Sequence, residues 1–131
     1  MRDRNKRQRP YQIKKTGIRD ENIDRQILAI HRAIVDKLLL NPHLLEQVKA
    51  QLEERKALGR LPYSQYITWY SIVDSFANPE IFQQAVLEDS PKMRKYRRNT
   101  PFVNILTEPE RQHALYQSAL GEVPDILTIV Y

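Results

Sequence analysis

Residues 20–42, DENIDRQILAIHRAIVDKLLLNP, decide the fold. Ile23, Ile27, Ile30, Ile34 and Leu38 recur at steps of three and four, which places them on one face of a helix. Leu28, Val35 and Leu39 widen that stripe, as expected of a helix at the centre of a core. Asp20 has the chemistry of an N-cap. The end falls at Asn41-Pro42, because the residue before a proline is pushed out of the helical region.

Working outward, the same punctuation recurs. Asn41 and Pro42 are read as the cap and first position of a second helix, with Leu45, Val48 and Leu52 inward and Gly59 as its C-terminal cap. Tyr63, Tyr66, Ile67, Trp69, Tyr70, Val73 and Phe76 follow Pro62. They cover most of a helix circumference, which predicts a helix enclosed by neighbours. Asn78-Pro79 opens a short helix with Ile81, Phe82, Ala85 and Val86 inward, and Ser90-Pro91 another that reaches about Arg98. Pro101 to Leu106 reads as an apolar connection lying on the core. Thr107 and Glu110 form a capping box for a last helix, which runs to about Leu120 before Gly121. The expected fold is all-α, a single compact bundle of about six helices. Val123 to Tyr131 has strand character but no partner strand, so residues 122–131 are set apart as a hydrophobic tail.

Charge divides the chain differently from hydropathy. Residues 1–19 hold eight bases (Arg2, Arg4, Lys6, Arg7, Arg9, Lys14, Lys15, Arg19) against the single acid Asp3, a net +7. The other thirteen bases and fifteen acids give −2, so the total of +5 belongs to this segment. A segment so charged and so poor in apolar residues predicts a flexible basic arm, residues 1–19, in front of a helical domain at 20–121. Such an arm suits nucleic-acid backbone or an acidic protein surface, or it is a solvated terminus that touches nothing. Lys92, Arg94, Lys95, Arg97 and Arg98 make a second cluster. It either complements a helix C-terminus or extends the basic surface, with Lys92 and Lys95 joining the arm in contacting nucleic acid.

Several function classes find no support. Cysteine is absent, which removes disulfides and thiolate chemistry and fits a cytoplasmic protein. No apolar run is long enough to span a bilayer, and the first residues lack the apolar segment of a secretory signal. Three isolated glycines cannot build a phosphate-cradling loop. His31, His43 and His113 do not pair at metal-ligand spacing. Glu110 and His113 form one E-x-x-H step, where helical di-metal sites need two and further carboxylates. Trp69, Tyr66 and Tyr70 could line a pocket, but aromatic residues at helical spacing are more often core. No cofactor, metal or enzymatic activity is expected.

Two stretches carry a resemblance. Leu28-Ala29-Ile30-His31-Arg32-Ala33-Ile34, with Lys37-Leu38 and Asn41-Pro42, forms the first. The second comprises Ser90, Met93-Arg94, Arg97, Asn99-Thr100-Pro101-Phe102 and Leu106-Thr107-Glu108-Pro109-Glu110-Arg111. Spanning about residues 25 to 113, they resemble a group of small bacterial proteins encoded beside nucleotidyltransferase-like toxins, some of which carry an added helix-turn-helix domain. The resemblance implies an antitoxin-like protein that inhibits its partner by stoichiometric binding. Arg32, Arg94, Arg97, Arg98, Thr100, Pro101 and Phe102 would then form or brace the contact surface. The Thr100-Pro101-Phe102 step reads equally well as a turn that plugs the core. This chain has a basic arm where those relatives would have the DNA-binding domain. The alternative reading is nucleic-acid binding through Arg2, Arg4, Lys6, Arg7, Arg9, Lys14, Lys15, Lys92 and Lys95.

Overall fold

The computed structural model describes the backbone of residues 2–121 and the side chains of residues 19–121. Six α-helices follow one another: α1 (Arg2–Leu40), α2 (Leu45–Ala57), α3 (Tyr63–Asp74), α4 (Pro79–Val86), α5 (Pro91–Arg97) and α6 (Glu108–Gly121). Single 3₁₀ turns at Pro42–Leu44 and Ser75–Ala77 lead into α2 and out of α3. No strand occurs among the described residues, and the fold is an all-α bundle. The tail at 122–131 lies outside them.

The first helix corrects the expected boundary at Asp20. Its backbone continues unbroken to Arg2, through the segment expected to stand apart as an arm. Asp20 therefore lies inside the helix, with no free N–H groups to cap, and its carboxylate is 3.7 Å from the guanidinium of Arg98, just past α5. Ile34, Val35 and Leu38 are fully enclosed, whereas Ile23 is exposed, so the core end of the apolar stripe is its C-terminal half. The Asn41 cap is also corrected. The Asn41 amide donates to the Lys37 carbonyl at 3.0 Å, closing α1 from behind, and Pro42 starts the 3₁₀ turn.

The other devices form as the spacing predicts. Asn78 accepts from the Ile81 N–H at 3.4 Å and Ser90 from the Met93 N–H at 3.1 Å. Thr107 and Glu110 cap each other reciprocally at 3.3 and 2.8 Å. At the end of α2, Gly59 takes a left-handed φ of 67°. The Arg60 N–H then reaches the Arg55 carbonyl and the Gly59 N–H the Lys56 carbonyl, which satisfies two C-terminal acceptors.

Helix α1 is the spine, packed by α6, α4 and α5, while α2 pairs with α3 and α3 with α4. The centre is aromatic. Phe102 meets Trp69 and Phe82 edge-on at centroid distances of 5.4 and 6.4 Å, and Phe76 meets Phe82 at 5.0 Å. Pro101, Phe102 and Ile105 are buried, so the 101–106 connection is the plug over this core. Two inward assignments are corrected: Ile81 on α4 is 51% exposed, and α3 is not enclosed all round. Tyr63, Ile67 and Tyr70 are 71%, 45% and 43% exposed, because no described helix lies over that side.

Candidate functional site

The two stretches that carry the sequence resemblance meet in space. His31, on α1, is almost fully buried. Its Nδ1 lies 2.7 Å from the Ile27 carbonyl, an acceptor only, so Nδ1 carries the proton and donates. Nε2 is therefore the acceptor, and the Thr100 hydroxyl donates to it at 2.9 Å. The same hydroxyl oxygen accepts the Phe102 N–H at 3.1 Å. This relay locks the 99–102 turn to α1 and fixes the imidazole tautomer. Burial holds the His31 pKa well down, from 6.5 to about 4, the hydrogen bond to Ile27 opposing and the Arg97 charge assisting. A neutral histidine on these partners is a structural pin. It has no unused nitrogen for a metal or a proton-transfer role.

Next to the pin, α5 turns its arginines onto α1 and the α4–α5 loop. Arg97 is buried, and its Nη1 donates to the carbonyls of Val86 at 2.9 Å and Glu88 at 2.8 Å. A cation is thus held at the C-terminal end of α4, where the helix dipole favours one. Burial lowers its pKa from an arginine's ordinary value, yet a guanidinium stays charged in the working pH range. Arg94 pairs with Asp89 at 2.8 Å, which lowers the Asp89 pKa. Arg98 reaches Asp24 at 3.0 Å and the Asp20 carbonyl at 3.2 Å. Exposed pairs of this kind add little stability, and here they mainly set the register of α5 on α1.

Between these elements lies a cleft of about 290 Å³, walled by Glu21, Asp24 and Arg25 of α1, Asp89 of the loop, and Arg94 and Arg97 of α5, with Leu28 beneath. Three acids and three arginines converge there from two regions some seventy residues apart in sequence. The cleft has charge of both signs, with Asp24 and Asp89 held by arginines, and no serine, cysteine or histidine in its lining. No cluster of three potential metal ligands occurs among the described residues. Glu110 is bound to Lys37 at 2.6 Å, which, with the cap N–H of Thr107, pulls its carboxyl down to about 2.

The expected site residues therefore separate. Arg94, Arg97 and Arg98 come together at the cleft or its rim. Thr100, Pro101 and Phe102 lie behind it as bracing, while Arg32 is exposed on α1. Lys92 and Lys95 are exposed, with the Lys92 ammonium 5.6 Å from the Tyr96 ring. The side chains of Arg2, Arg4, Lys6, Arg7, Arg9, Lys14 and Lys15 lie outside the described residues.

Sequence reading missed the acidic wall. Nothing local marks Asp24 or Asp89, and only their i+74 and i+5 pairing with arginines gives them a role. It also missed His31, whose signal was a polar residue on the inward side of an apolar stripe. One buried donor remains alone: the Trp69 indole N–H has no partner among the described residues. Comparison with family models, with curated proteins and with solved structures finds no match.

Proposed function

We propose that this chain is a non-enzymatic regulatory protein of antitoxin type, which inhibits a partner protein by stoichiometric binding, with the α1–α5 cleft at the contact. One observation carries the reading. Charges of both signs, beside a buried pin, surround a concavity that holds no serine, cysteine or histidine. Such a surface selects a partner by complementary charge, since a mispaired charge is strongly penalised. A partner helix or loop that places an acid opposite Arg25 and Arg94 and a base opposite Glu21 would fit it. A lasting contact of this kind needs roughly 1,200–2,000 Å² of total buried area, so the cleft would be its centre and not its whole extent.

The test is co-expression with the product of the neighbouring gene. A one-to-one complex that survives high salt, and that Arg94→Glu abolishes while the melting temperature holds, supports the reading. Absence of any complex, or one indifferent to Arg94→Glu, refutes it.

A second reading rests on the seven net positive charges of residues 1–19, which lie on the same helix that walls the cleft. In it the chain binds DNA or RNA backbone, with affinity that falls steeply as salt rises. Deleting residues 1–15 should then abolish retention on nucleic acid and leave any protein complex intact.

A further inference from the structure

The exposed face of α3 has an internal order that the cleft does not explain. With 3.6 residues per turn, Tyr63, Ile67, Tyr70 and Asp74 fall within a strip about 60° wide. Asp74, at one end, is the only charged residue of the helix. Near the other end, on α2, the Lys56 ammonium sits 4.5 Å from the Tyr66 ring centroid. The tyrosines form a ladder. Tyr66 stacks on Tyr63 at 6.5 Å and tilts against Tyr70 at 5.7 Å, and its hydroxyl donates to Glu53 at 2.6 Å. That bond is the main reason the phenol is pushed up to about 12. The central ring is therefore held from both sides, and the outer two rings are presented to solvent. Tyr63 and Tyr70 each rest against this held ring, and a tyrosine, with two side-chain torsions, loses little entropy on binding.

The strip is nearly symmetric about Ile67. Tyr63 lies four residues before it and Tyr70 three after, while the charges at the two ends are opposite. A twofold axis through Ile67 would bring a second α3 antiparallel to the first. Tyr63 would then face Tyr70 of the other copy, Ile67 would face Ile67, and Asp74 would approach the other copy's Lys56. Self-complementarity of this kind is what an isologous interface requires. We infer that the Tyr63–Ile67–Tyr70 face of α3 is a self-association surface whose occupant is a second copy of this chain. A nucleic acid is a poor fit, since α3 itself carries no base and its one charge, Asp74, repels phosphate. The inference is independent of the α1–α5 cleft and of any partner bound there.

Sedimentation equilibrium of the full chain, from about 1 to 100 μM, reads the result directly. The expected outcome is a reversible dimer whose dissociation constant rises at least about tenfold in Tyr70→Asp and in Tyr63→Asp. Tyr63, the more exposed of the two, keeps the test valid if Tyr70→Asp fails to fold. Lys56→Asp and Asp74→Lys should each weaken the dimer, and the double exchange should recover it, which a merely structural role would not do. Three results overturn the inference. One is a wild-type chain that stays monomeric throughout, even if it captures the neighbouring gene product through Tyr70. Another is a dimer indifferent to all four substitutions. The third is a monomer that dimerises only when residues 122–131 are deleted, since the tail would then be the occupant.

Discussion

Replacing Thr100 with valine changes almost nothing in shape and removes one oxygen. That oxygen has two partners: its hydrogen goes to His31 Nε2 at 2.9 Å and its lone pair accepts the Phe102 N–H at 3.1 Å. Thr100→Val leaves both without a partner, in residues that are 2% and 3% exposed. An unsatisfied buried polar group costs about 1–3 kcal/mol. Thr100 itself is half-buried, so water can partly replace it, and the lower half of the range applies: about 2–4 kcal/mol for the pair. In a domain of this size that is a fall of about 10 °C in melting temperature. Thr100→Ser keeps the hydroxyl and loses a methyl, a cost of about 1 kcal/mol or less. Urea unfolding followed by fluorescence suits the measurement, because Trp69 is the only tryptophan and sits against Phe102. A valine variant within about 0.5 kcal/mol of wild type, or a serine variant as weak as the valine, would refute the relay.

Three further outcomes follow from the same geometry. His31 has a pKa of about 4 when folded and an ordinary 6.5 when unfolded, so its neutral form favours the native state. That contribution is complete above pH 6.5, fades as pH falls toward 4, and amounts to about 3 kcal/mol; His31→Asn, which keeps a donor toward Ile27, should flatten that limb of a stability–pH curve. Arg97→Met strands the Val86 and Glu88 carbonyls and should cost about 2–3 kcal/mol by denaturant titration, with faster hydrogen exchange in α4. Gly59→Ala meets no atom within 4 Å but must adopt a φ of 67°, so calorimetry should show a loss of about 1 kcal/mol from backbone strain alone.

Local chemistry was legible wherever a single turn of chain contains both partners. Ser90 with Met93, Asn78 with Ile81, and Thr107 with Glu110 are each three residues apart, so the residue types and the spacing suffice. The helical stripe of α2 read correctly for the same reason. Asp20 and Asn41 misled because each has a second use that the local pattern cannot reveal. Asp20 pairs with Arg98, just past α5, and Asn41 bonds backward to Lys37. The face of α3 misled in the opposite sense: apolar character on all sides predicts enclosure, yet the neighbours that would enclose it are not supplied by the described part of this chain.

Sequence alone determined that the chain is helical, where most of its helices start and stop, and which residues carry its charge. Those properties follow from periodicity and from hydrogen bonds that close within one turn. Only the tertiary structure decided that His31 is a neutral pin, that Arg97 is buried on two carbonyls, and that Asp24 and Asp89 form the acidic side of an arginine cleft. Each depends on groups brought together across loops, and periodicity carries no information about which helix faces will meet.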